Sequence, residues 1–136
     1  MIVVDTNVIG YLFLSSEHAI AAEKALKMDS EWAAPILWRS EFRNVLALYL
    51  RKKLATLQQA QQIMNGALEL LRGREYEASS YEVLRLVSES KCSAYDCEFI
   101  AVANDLNVHL VTVDKQLLRE FPPVAIALNA FIGDAP

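Results

Sequence analysis

Met1-Ile2-Val3-Val4 is an unbroken apolar, largely β-branched run that stops at Asp5, the pattern of a strand buried on both faces. His109 to Val113, ending at Asp114, repeats the pattern, and shorter runs at Trp32 to Ala34 and Val124 to Ala127 predict two more strands. Between the strands the apolar spacing becomes helical. Asp5 or Thr6 caps a helix to about Leu14, a second runs from about Glu17 to Lys27, and Pro35 leads into a long one from about Leu37 to Lys53. Thr56 caps a helix reaching about Leu71 before Gly73. Ser79 with Glu82 forms a capping box for one ending near Ser90, Ser93 opens another to about Leu106, and a short helix follows Asp114. Strands separated by helices pair in parallel through right-handed crossovers, so the expected fold is α/β: a central parallel sheet of about four to five strands, helices on both faces, three layers α/β/α.

In such sheets ligands gather beyond the carboxyl ends of the strands. Asp5 and Asp114 stand at two such ends, though each also reads as an ordinary helix cap. Two further acids face inward. On the wheel of the long helix, Leu37, Leu48, Val45, Trp38, Tyr49, Phe42 and Leu46 share one arc, with Glu41 inside it and Arg39, Ser40, Arg43 and Arg51 opposite. A buried carboxylate needs a cation, a proton or strong donors, so Glu41 marks either a site or an internal ion pair. Asp96 lies within the face formed by Tyr95, Phe99, Ile100, Val102, Ala103 and Leu106, while Glu98 and Asp105 point away. Its plainer role is the third helical position of a capping box begun by Ser93.

Four carboxylates from four segments thus converge where this architecture builds sites. Two like charges about 4 Å apart repel by about 4 kcal/mol at an effective dielectric of 20, so the cluster takes up protons or holds a cation. All-oxygen donors favour Mg²⁺ or Mn²⁺, and a carboxylate-held dication with open positions suits a phosphodiester.

Composition narrows the setting. With 13 Lys+Arg against 17 Asp+Glu in 136 residues, the net charge of −4 gives the chain no general affinity for phosphate. Cys92 and Cys97, with His18 and His109, match no zinc spacing and read as packing residues in a reduced, cytoplasmic setting. No stretch has the length of a membrane span, and the size fits one domain over residues 1–136. The apolar fraction of 54% leaves surface for a partner.

Asp5-Thr6-Asn7 after the first strand, Glu41 in Ser40-Glu41-Phe42, Tyr95-Asp96 opening a helix and Thr112-Val113-Asp114 at a strand end resemble the PIN-domain ribonucleases. Within them the chain is most similar to the small VapC-type toxins of toxin–antitoxin pairs. The resemblance covers nearly the whole chain in the right order. It implies a PIN-like fold and an Mg²⁺- or Mn²⁺-dependent endoribonuclease in which a metal-activated water hydrolyses RNA. Asp5, Glu41, Asp96 and Asp114 would be the catalytic acids, with Asp5, Asp96 and Asp114 holding metal, Thr112 supporting the site and Asn7 orienting Asp5. It also implies a cognate antitoxin and a homodimer. Arg39 and Arg43, one turn apart on the same helix as Glu41, are placed to flank an RNA, whereas Arg51-Lys52-Lys53 reads as a solvated helix end. Cys97 stands where a small residue such as Ala is usual, and Glu98 adds a fifth acid at the rim.

Other readings compete less well. A dinucleotide fold lacks its glycines, since Asp5 to Gly10 offers one where the fingerprint needs three. A haloacid-dehalogenase-type phosphatase wants an Asp where Asn7 stands. A receiver-like signalling or protein-binding module would use the acids and Lys115 without turnover, but it gives Glu41 no task.

Overall fold

The computed structural model describes residues 1–133 and contains five strands and eight helices among them. Strand β1 (Ile2–Val4) leads to α1 (Thr6–Phe13) and α2 (Ala19–Met28), and β2 (Trp32–Pro35) to α3 (Leu37–Arg51) and α4 (Leu57–Leu70). Strand β3 (Glu75–Tyr76) precedes α5 (Ser80–Ser88) and α6 (Ala94–Leu106). Then come β4 (Leu110–Thr112), α7 (Lys115–Glu120), β5 (Ala125–Ala127) and α8 (Leu128–Ile132).

The sheet is parallel throughout, in the order β3-β2-β1-β4-β5. Its two central strands bury Val3, Val4, Leu110 and Val111 completely, as their unbroken apolar runs require. Pairing is in register at Ile2 with Trp32 and at Val3 with Leu110. From β1 the chain steps outward through β2 to β3, then crosses back to β4 and steps outward again to β5. Right-handed crossovers in opposite directions put α1 to α4 on one face and α5 to α7 on the other. Contacts follow that division: α1 touches α2, α3 and α4, whereas α5 packs on α6 and α6 on β1, β2 and β4. The direction reverses between β1 and β4, so the crevice beyond their carboxyl ends is the switch point of the sheet.

Local chemistry sets the helix starts. Asp5, Thr56, Ser79, Ser93 and Asp114 each accept a backbone N–H from the first turn that follows. At Thr56 the capping box is complete, with Gln59 reaching back to the Thr56 N–H. At Ser79 the side chain accepts from Glu82, but the Glu82 carboxylate pairs with Arg85. In α3, Trp38, Phe42 and Leu46 recur every fourth residue and are buried, and burying each such side chain contributes roughly 1.5–3 kcal/mol.

Two elements escape the sequence pattern. Strand β3 has two residues, one of them charged, and exists because Ala34 and Pro35 pair with it. Helix α8 follows β5 directly and has no side-chain cap to announce it. The wheel of α3 also misplaces Leu48, which is 49% exposed near the helix end, beyond Leu46, the last residue of the buried row.

Candidate metal-binding site

Asp5 is the first residue beyond β1, and the chain turns there into α1. Its Oδ1 accepts the Val8 N–H at 2.9 Å as the cap of α1, and its Oδ2 accepts the hydroxyl of Thr112 at the end of β4. That hydroxyl also accepts the Asp114 N–H at 3.0 Å, so one buried threonine ties together the two acids at the switch point. Asp114 spends Oδ1 on the N–H groups of Gln116 and Leu117 and thereby caps α7.

Glu41 projects from α3 and accepts the Thr6 hydroxyl at 2.7 Å. Asp96, in the first turn of α6, arrives from the opposite face of the sheet. Asp5, Thr6, Asn7, Glu41, Asn44, Asp96 and Asp114 line one pocket of about 280 Å³, closed on its apolar side by Val45, Phe99 and Leu117. The structure therefore brings the four predicted acids and Asn7 together, with Thr112 buried beneath.

The acids resist ionisation. Burial pushes Asp5 up to about 6, against hydrogen bonds from Thr112, Val8 and Val113, and the charge of Asp114 raises it further. Glu41 is raised by burial and by the charges of Asp96 and Glu98, with the Thr6 hydrogen bond pulling it back. Asp96 is raised by burial and by Asp114, offset by Ser93. Burial also raises Glu98, which sits half-exposed outside the pocket lining, at its rim. Such a set gains when a cation enters.

Among the described residues, no three His, Cys, Asp or Glu side chains stand close enough together to form a ready-made ligand shell. The donor chemistry still fits a hard dication, since every polar side chain of the pocket presents oxygen. Mg²⁺ in particular keeps several waters and uses only one or two carboxylates directly.

Other expected roles are placed differently. Asp5 takes its orientation from Thr112 and from backbone N–H groups, whereas Asn7 is exposed with no hydrogen-bond partner among the described residues. Arg39 forms a two-pronged pair with Glu75, at 2.6 and 2.7 Å, outside the pocket lining, and Arg43 bonds the Arg39 carbonyl. Lys115 is exposed outside the lining as well. Cys92 and Cys97 are buried thiols, as packing residues should be. Thr6 and Asn44 were not legible as site residues. The signals for them are adjacency to Asp5 and the three-residue spacing from Glu41 that puts Asn44 on the same side of α3.

No helix among the described residues is long and apolar enough to cross a membrane. The chain is similar to a Pyrobaculum aerophilum protein named Ribonuclease VapC3, 26% identical over 124 residues, covering 89% of this chain and 95% of that one. Two solved structures share its fold. One is a toxin–antitoxin complex from Klebsiella pneumoniae, with TM-score 0.70, 19% identity, and coverage of 94% of this chain and 98% of that one. The other is FitAcB from Neisseria gonorrhoeae, with TM-score 0.72, 19% identity and the same coverage. The PIN domain matches residues 2–121, a span that takes in all four acids and every strand through β4, and the chain belongs to the PIN-domain family.

Proposed function

We propose that this chain is an endoribonuclease dependent on Mg²⁺ or Mn²⁺, acting as the VapC-type toxin of a toxin–antitoxin pair. It would work as a single PIN-like domain in the cytoplasm. The observation that carries the reading is the convergence of Asp5, Glu41, Asp96 and Asp114, from four segments and both faces of the sheet, on one pocket at the switch point. The name of the Pyrobaculum relative supports ribonuclease chemistry, and the Klebsiella complex supports an antitoxin partner.

A dication bound there would offset the phosphate charge and acidify a water at the scissile phosphorus. Asp5, Asp96 and Asp114 would hold it, one or two of them directly and the rest through its waters. Thr112 fixes the rotamer of Asp5 so that its carboxylate need not reorganise on binding. Glu41, held by Thr6 and kept basic by burial, stands opposite as a group able to take a proton from the attacking water. Phe99 and Leu117 give the pocket an apolar floor beneath the acids. The surplus apolar surface serves a homodimer. An antitoxin helix would use the groove of about 690 Å³ formed by Phe13, Leu14, Tyr49, Leu54 and Ile63, extending an arginine to the acids.

The test is incubation of purified protein with total RNA, with and without Mg²⁺, and mapping of the ends. Cleavage that needs the dication and leaves 5′-phosphates is expected. RNA left intact under both conditions would overturn the assignment.

A further inference from the structure

Next to the acid pocket, between α1 and α3, lies a second depression of about 140 Å³. It shares Thr6, Asn7 and Val45 with the acid pocket, so the two adjoin along these residues. Its walls are otherwise Gly10, Tyr11, Leu14, Ser15, Ser16 and Tyr49, with no charged side chain among them. An uncharged, partly aromatic lining is wrong for a phosphate or a cation and right for a neutral heteroaromatic ring.

Gly10 adds a second argument. It lies inside α1, where a glycine weakens a helix relative to alanine. Packing does not demand it, because a Cβ there would meet Phe42 at 3.7 Å and Leu14 at 3.9 Å, ordinary contact distances. Gly10 also lines the depression, so its wall there is bare backbone. Asn7, at the junction of the two pockets, has an amide not engaged by any described residue and able to both donate and accept.

We propose that this depression is a nucleobase subsite: with the scissile phosphate at the acids, the adjoining base of the RNA enters between α1 and α3 against the ring of Tyr49, and Asn7 hydrogen-bonds its edge. The inference rests on the ribonuclease reading and adds to it a subsite with named walls. Single-stranded bases bind proteins by stacking on aromatic side chains, typically for roughly 10-fold or more in affinity per base. The same ring also borders the apolar groove beyond, so a peptide lying in that groove would exclude the base.

The test uses short single-stranded RNAs with one 2-aminopurine moved along the sequence, bound in Mg²⁺ to the Glu41→Gln variant, which keeps the three proposed metal-holding acids and removes the proton acceptor to prevent cutting. Quenching at one position beside the cleavage site is expected. It should persist when Tyr49→Phe is added, and vanish with Tyr49→Leu together with a roughly 10-fold weaker Kd. With the otherwise unaltered protein, an abasic nucleotide at that position should raise KM by a similar factor, whereas the Tyr49→Leu enzyme should cut intact and abasic RNA with equal KM. Cleavage of RNA without a position-specific quench, or quenching untouched by Tyr49→Leu, would overturn the subsite and leave the ribonuclease reading standing. Absence of both binding and cleavage would overturn both. Should Tyr49→Leu fail to fold, the abasic series in the unaltered protein decides.

Discussion

The hydroxyl of Thr6 donates to Oε1 of Glu41 at 2.7 Å, so the residue that follows the first acid of the pocket holds the second, 35 positions away. This bond joins α1 to α3 across the pocket and favours the charged form of Glu41. Thr6→Val preserves shape and removes the donor. Glu41 should then titrate at higher pH, and the acid limb of the cleavage profile should move upward. Because Glu41 is half-exposed, water replaces part of the lost bond, and the stability cost should be about 1 kcal/mol by urea unfolding. An unshifted acid limb would show that Glu41 takes no part in the proton transfer.

At Asp5, as at Glu41, burial outweighs the hydrogen bonds that favour the charged form. The Asp5 carboxyl, ordinarily at 3.8, rises to about 6 in the fold. Between those values the folded state binds the proton more tightly than the unfolded chain, so stability falls as pH rises from about 4 through 6. Two units correspond to about 3 kcal/mol at neutral pH. Asp5→Asn should therefore be more stable than the parent chain at pH 7 in the presence of a chelator, with the difference shrinking towards pH 4. The same variant should lose RNA cleavage and the rise in Tm that Mg²⁺ gives the parent. Calorimetry across pH checks this, and a parent chain that gains stability from pH 4 to 7 relative to Asp5→Asn would refute it.

Arg39 shows where sequence reasoning about this site stops. Periodicity placed it on the outer side of α3, away from the arc that holds Glu41, and there it is exposed, outside the pocket lining. Its partner could not be seen, because Glu75 lies in a two-residue strand with no apolar signature, defined only by pairing to β2. Trp38 Nε1 donates to the same carboxylate at 2.8 Å, so Glu75 is held from both sides. Arg39→Ala should lower stability by about 1 kcal/mol or less, as for a well-formed surface pair, and change cleavage less than twofold. A tenfold loss in RNA affinity would instead make Arg39 a substrate contact.

What was legible follows a physical rule. The acids at strand ends could be read because a parallel sheet ends its apolar runs where the crevice begins, as at Val4-Asp5. Glu41 and Asp96 could be read because an acid among apolar residues breaks a 3.6-residue period. Thr6, Asn44 and Thr112 act through hydroxyl or amide contacts between segments far apart in sequence. No periodicity encodes those; Thr112 entered only through family resemblance, and its double hydrogen bond appears only once β1 and β4 are side by side.

Gly66 gives a test aimed at the apolar groove rather than the acids. It lies within α4, and a Cβ there would come to 2.9 Å from Cε1 of Phe13 at the end of α1. The helix would gain up to about 1 kcal/mol from alanine. Displacing a half-buried phenylalanine ring costs about 1–3 kcal/mol, so Gly66→Ala should be destabilising by about 1 kcal/mol on balance. Phe13 borders the groove but not the acid pocket. Cleavage by Gly66→Ala should thus stay near that of the parent, while inhibition by a helical antitoxin segment weakens several-fold. Loss of cleavage with inhibition unchanged would mean that α1 transmits the displacement to Asp5 and that the helix docks elsewhere.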